Sequence, residues 1–225
     1  MISNFFQLLS VFAIGSLLAC SSVSSSVIPA APMADAPQPS ETAVPGDKQI
    51  AIFAGGCFWG VEAVFENTKG VIDVKSGYSG GTAKTANYDA VSDGSTKHAE
   101  AVQITFDPAK VSYEQLLDVF FKVAHDPTEL NRQGPDTGPQ YRSAIFYADD
   151  AQKQATLSYI EKLNAAGVYK KPIVTQVVAL EKFYEAESYH QDYLPQNLDS
   201  PYIIAHDLPK LENLKKQFPA LYAKK

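Results

Sequence analysis

The chain is short of the residues that cross-link proteins and bind metals. Its 225 residues include two cysteines, two methionines, one tryptophan and four histidines. Cys20 closes an apolar leader, which leaves Cys57 alone in the rest of the chain. A single cysteine builds no disulfide scaffold, so Cys57 is either a small buried apolar residue or a working thiol. One cysteine and four scattered histidines give no ligand spacing, so no metal site is expected. Basic residues are the minority: the net charge of −6 argues against a nucleic-acid-binding face. What remains, 45% apolar and 20% charged, is the composition of an ordinary globular protein. The length suits one sizeable domain, or at most a domain and a half.

Charge is absent altogether from the first twenty residues, "MISNFFQLLSVFAIGSLLAC". Their apolar stretch is broken by Gln7, Ser10 and Ser16 and falls short of the ~20 apolar residues of a membrane span. It reads as a secretory signal core. The ending "LLAC" resembles the bacterial lipoprotein signal, which implies a lipidated Cys20 at the start of an exported cell-envelope lipoprotein, anchored rather than spanning. The alternative is an uncleaved hydrophobic N-terminus. Residues 21–46 are rich in Ser, Pro and Ala and lack the large apolar side chains that would offset their ordering entropy. They read as a tether, leaving a domain over 47–225.

Within that domain the apolar run "QIAIFA" (49–54) predicts a buried strand. "CFWGVEAVFEN" (57–67) has Phe58, Val61, Val64 and Phe65 at helical spacing. A strand running into a glycine-rich loop is predicted over 71–81, and further strands over 99–108, 143–148 and 172–180. Helices are predicted over 112–125, with Ser112 and Gln115 as a capping box, and over 149–167, with Asp149 as cap and Gly167 as stop. The stretches "EAESYHQDYL" and "LPKLENLKKQF" also read as helical. Alternating strands and helices predict a mixed α/β domain. The Pro- and Gly-rich loop over 126–142 is long enough to expect a function of it.

"GGCFWG" (55–60) puts Cys57 at the turn from strand to helix. There the free backbone N–H groups and the positive helix end are expected to favour the thiolate. Phe58 and Trp59 point in directions about 100° apart, so they are either two core aromatics or the rim of a pocket beside the thiol. In "KHAEAVQITF" strand alternation sets Glu100 on one face with Val102, Ile104 and Phe106. Such a carboxyl is either frayed into solvent or partly buried with a raised pKa, fit to serve as a general acid.

Four blocks in order, "GGCFWGVEAVFENTKGVIDVKSGYSGG", "NYDAVSDGSTKHAEAVQITFDP", "HDPTELNRQGPDTGPQYRSAIFY" and "FYEAESYHQDYL", resemble A-type peptide methionine sulfoxide reductases over residues 50–203. The resemblance implies a two-layer α/β sandwich around a mixed sheet, related to the ferredoxin-like folds. It implies reduction of the S epimer of methionine sulfoxide, free or in oxidised proteins and peptides. Cys57 is then the nucleophile that becomes a sulfenic acid, and Glu100 the carboxyl that protonates the sulfoxide oxygen. Tyr88 and Tyr141 contact the same oxygen, Phe58 and Trp59 receive the substrate methyl, and Asp136 lies nearby. No cofactor is bound; the reductant is an external thiol, thioredoxin-like or a dithiol, and the enzyme is a monomer. Many relatives carry resolving cysteines in their C-terminal tail, and "LPKLENLKKQFPALYAKK" has none. Both methionines, Met1 and Met33, precede the domain, which suits an oxidant-exposed repair protein. Two rival readings are a module that captures oxidised peptides without turnover, and a cysteine hydrolase pairing Cys57 with His98 or His190. Both histidines otherwise read as surface residues.

Overall fold

The computed structural model describes residues 47–224. The leader, Cys20 and the tether lie outside the described residues. The elements, numbered in chain order, are β1 (Gln49–Gly55), α1 (Phe58–Glu66), β2 (Val71–Ser79), α2 (Tyr88–Ser92), β3 (Ala99–Phe106), α3 (Tyr113–Val119), β4 (Arg132–Gln133), β5 (Asp136–Thr137), β6 (Ser143–Tyr147), α4 (Asp150–Ala165), β7 (Gln176–Ala179), β8 (Phe183–Glu185), α5 (Tyr193–Gln196) and α6 (Leu208–Gln217).

Six strands form one sheet in the order β7-β6-β1-β3-β2-β8. Every neighbouring pair is antiparallel except β6 and β7, which run parallel, so the sheet is mixed. Period-two alternation divides its side chains between two faces. Ala51 and Phe53 of β1, with Val102, Ile104 and Phe106 of β3, enter the large core that also holds Val61, Val64, Leu116 and Leu214. Ile52, Ala54, Ala99 and Ala101 face the other way, with Ala144 and Phe146. Helices α1, α3, α4 and α6 all contribute to the large core, so the architecture is a two-layer α/β arrangement.

Local chemistry explains where the helices start. Ser112 Oγ accepts from the Gln115 amide at 3.2 Å while Gln115 Oε1 accepts from the Ser112 amide at 2.9 Å, completing the expected capping box. Asp149 caps α4 by accepting from the Gln152 amide at 2.8 Å.

Several boundaries differ from expectation. The helix predicted to reach residue 125 narrows to Tyr113–Val119 and continues as a wide π turn over Phe120–Ala124. His125 closes that turn, its Nδ1–H donating to the Phe120 carbonyl at 3.0 Å. The strand expected over 172–180 is paired only over Gln176–Ala179. "EAESYHQDYL" is not one helix: Phe183–Glu185 pairs with β2 as β8, and only the short turns Ser188–His190 and α5 follow. The 126–142 loop carries a small hairpin of β4 and β5 and a 3-10 turn over Pro139–Tyr141. Among the described residues, no helix is long and apolar enough to cross a membrane.

Candidate active site

Cys57 stands at the N-cap of α1. Gly56 before it takes φ +93°, and a Cβ there would fall 2.5 Å from the Gln133 side chain, so only glycine lets the hairpin close on this turn. The expected neighbours converge. Cys57, Phe58, Trp59, Tyr88, Glu100, Asp136 and Tyr141 line a single cavity of about 210 Å³. Tyr202 also lines it, a residue that sequence reasoning missed. It comes from the tail, as a lone aromatic in "SPYIIAHD" with no local pattern to single it out. A larger groove of about 410 Å³ between α1, α5 and α6 contains no thiol among its lining residues, so the chemistry belongs to the smaller cavity.

Each wall is anchored by bonds that reach across the chain. Glu100 faces the helix side of β3 and is 2% exposed. Its Oε2 accepts from the Phe58 amide at 3.1 Å, which ties the carboxyl to the first turn of α1. Tyr88 opens α2, where the Asn87 side chain caps the helix. Glu187 accepts from the Tyr88 amide at 2.9 Å and from the buried Tyr78 hydroxyl at 2.8 Å. Gln140 Nε2 donates to the Ser92 carbonyl at 2.9 Å, joining the turn that bears Tyr141 to α2. The Arg142 guanidinium reaches the carbonyls of Lys97, His98 and Pro139, fixing that turn against the start of β3. Trp59 stacks on Tyr193 with centroids 3.7 Å apart, and its Nε1–H donates to His190 Nδ1 at 3.2 Å. Phe58 is buried beside it. The Tyr202 hydroxyl donates to Asp136 at 2.5 Å.

The electrostatics correct one expectation and meet another. The helix end does not give a low-pKa thiol. Burial above all, then the charges of Glu100 and Asp207, push the Cys57 thiol well above its ordinary value. The Trp59 amide and the Lys210 ammonium act the other way and are outweighed. The dipole argument assumed a solvated helix end, and Cys57 is only 8% exposed. Glu100 is raised to about 8, by desolvation first and only partly offset by the Phe58 amide. At neutral pH most Glu100 therefore carries its proton, and its repulsion of a thiolate largely disappears. Burial raises the Tyr88, Tyr141 and Tyr202 phenols as well, keeping them protonated donors.

His98 and His190 are not surface residues. His98 is fully buried, with Nε2 bonded to the Thr82 carbonyl at 3.0 Å. His190 is 2% exposed and serves Trp59, and burial lowers its pKa. Neither lines the cavity beside Cys57, so neither stands as base to the thiol. Among the described residues no cluster of His, Cys, Asp and Glu is arranged to hold a metal ion.

A carboxyl raised to about 8 and three phenols thus stand beside one thiol, next to an aromatic wall. Residues 49–221 match the family model described as peptide methionine sulfoxide reductase, and the chain belongs to this family. It is 56% identical to peptide methionine sulfoxide reductase MsrA 2 of Mesorhizobium japonicum, over 82% of this chain and 94% of that protein. It is 51% identical to the protein of the same name from Synechocystis, over 92% and 94%. The reduced form of Mxr1 from Saccharomyces cerevisiae superposes with a TM-score of 0.65 at 33% identity, covering 71% of this chain and 91% of that one.

Proposed function

We propose that this chain reduces the S epimer of methionine sulfoxide, free or in peptides, and that Cys57 is the nucleophile. The observation that carries the reading is the shared cavity, in which one thiol, one carboxyl raised to about 8 and three phenols meet two aromatic faces. A sulfoxide oxygen leaves sulfur only after it gains a proton. Glu100 supplies that proton, and Tyr88 and Tyr141 donate hydrogen bonds where negative charge grows. Phe58 and Trp59 take the S-methyl group. The Cys57 sulfur attacks the substrate sulfur, the oxygen passes to Cys57 as a sulfenic acid, and methionine leaves. The thiol proton lost by Cys57 restores the Glu100 carboxyl, so no net proton is consumed. An external thiol, from a dithiol or a thioredoxin-like protein, returns Cys57 to its starting state.

The test is turnover of each separated epimer with dithiothreitol, in wild type and Cys57→Ser. Reduction of the S epimer alone is expected, with less than about 1% of it left in the serine variant, because a hydroxyl lacks the nucleophilicity of sulfur. Reduction of the R epimer at a comparable rate, or a serine variant that still turns over, overturns the proposal.

A further inference from the structure

Cys57 borders two chambers. The first is the 210 Å³ cavity already described. The second, about 100 Å³, is lined by Gln133, Gly134 and Pro135 of the hairpin and by His206 and Lys210 of the tail. Asp136 and Tyr202 line both and are bonded to each other at 2.5 Å, so this pair is the partition between them. Glu100, Tyr88 and Tyr141 face only the first chamber, and Lys210 and His206 face only the second.

We infer that the thiol that resets oxidised Cys57 reaches it through the second chamber, from the Lys210 side of the sulfur. The inference rests on the sulfenic acid reading proposed above. Oxygen taken from the substrate stays on the Glu100 side, where its donors are. Displacing it requires an incoming thiolate to place its lone pair in the S–O antibonding orbital, whose outer lobe points away from the oxygen. That approach avoids the sulfoxide chamber. Cys57 is only 8% exposed, so the approach must run through a cavity.

The second chamber has the chemistry for such a visitor. The Lys210 side chain is 16% exposed and bonds Asp207 Oδ1 at 3.1 Å. Asp207 is fully buried, and its Oδ2 has no hydrogen-bond partner among the described residues. Asp207 holds the ammonium at this chamber, where the Lys210 charge favours a thiolate and offsets part of the stronger opposing effect of the Glu100 and Asp207 charges on the sulfur. In the first step the thiolate RS⁻ forms an S–S bond to Cys57 as the S–O bond breaks. Glu100 gives its proton to the departing hydroxide, which leaves as water. Cys57 sulfur is reduced and the incoming sulfur is oxidised. A second thiolate then attacks the R sulfur of the mixed disulfide, releasing RSSR and Cys57. A chamber this small admits an unhindered terminal thiol, carried by a small molecule or by a protruding side chain.

His206 lines the second chamber and is exposed, its ring 5.0 Å from that of Tyr202. The test uses the full chain, first mixed with limiting methionine-S-sulfoxide without thiol. Dithiothreitol or a reduced thioredoxin is then added in parallel arms that separate a small donor from a protein one. Methionine formed per enzyme reads the first phase, and loss of a trappable sulfenic acid reads the second. His206→Trp should leave the first phase within about twofold of wild type and slow the second about tenfold. His206→Ala should leave the second phase unchanged or faster. An unchanged second phase in His206→Trp overturns the passage alone. Equal slowing in both variants assigns the loss to the imidazole and also overturns it. If wild type gives no burst of methionine and no sulfenic acid, the underlying reading falls and the passage with it.

Discussion

Glu100 is a carboxyl on an apolar strand face with a single charge-stabilising bond, from the Phe58 amide. Burial dominates, and the pKa rises to about 8. The acid form is thus the resting form at neutral pH. Glu100→Gln keeps the shape and a donor but delivers no proton. A loss of about 10² in kcat is expected at pH 7. In wild type, kcat/KM should fall as pH rises through about 8, because the deprotonated carboxylate has no proton to give and opposes a thiolate at Cys57. The variant should lose that limb. A wild-type profile flat from pH 6 to 9, or a variant with unchanged kcat, would remove Glu100 from the acid role. Its unusual character was legible in the sequence, because alternation alone set it among Val102, Ile104 and Phe106. The thiol was harder. A helix start argued for a low pKa, and only the packed structure reveals that burial, Glu100 and the distant Asp207 reverse the sign.

At the scale of elements, α1 is held from behind by the tail. Gly60 sits in the helix where a glycine ordinarily costs about 1 kcal/mol relative to alanine. Here a Cβ would lie 2.0 Å from Asp207 Oδ1 and 2.7 Å from Lys210 Nζ. Gly60→Ala should therefore destabilise the fold, by about 1–3 kcal/mol in urea denaturation, instead of stabilising it. A variant more stable than wild type would show that the Asp207–Lys210 pair moves aside freely. Elements with local rules were readable: α1 by its spacing, α3 by the Ser112–Gln115 box, α4 by Asp149. Elements made by distant partners were not. β8 is three residues long and exists because Gly77, Tyr78 and Ser79 of β2 pair with it. Tyr202 and Lys210 become site residues through contacts with Asp136 and Asp207, and His98 and His190 are buried because Thr82 and Trp59 supply their bonds. None of these pairings leaves a mark in a local window.

Across the whole molecule, buried titratable groups give stability a definite dependence on pH. His125 is buried between the Phe120 carbonyl and Ser143 Oγ, at 3.0 and 2.7 Å, as a neutral ring. Burial, opposed by the Phe120 carbonyl bond, lowers its pKa from 6.5 to about 4. Below 6.5 the unfolded chain takes up a proton that the folded one refuses, so the stability present above 6.5 is lost as pH falls through about 4. Glu62, buried on α1, and Glu100 act in the opposite sense. Desolvation raises each from 4.5 to about 8, with Glu66 adding to the rise at Glu62. Between those values the folded chain holds protons that the unfolded chain has released, so stability present below 4.5 is lost as pH rises through about 8. The two slopes oppose each other between 4.5 and 6.5, and above that only the carboxyls act. The melting temperature should therefore peak on the acid side of neutrality and fall steadily from pH 7 to pH 9. Glu62 does not line the reaction cavity, so it separates this effect from catalysis. Glu62→Gln is neutral at every pH and should raise the melting temperature at pH 9 by about 5 °C over wild type, with a change within about 2 °C at pH 5. Calorimetry at the two pH values measures the difference directly. A variant that gains as much at pH 5 as at pH 9 would place the effect in packing, because a proton-linked term is small close to the unfolded value of 4.5 and reaches its full size only above about 8.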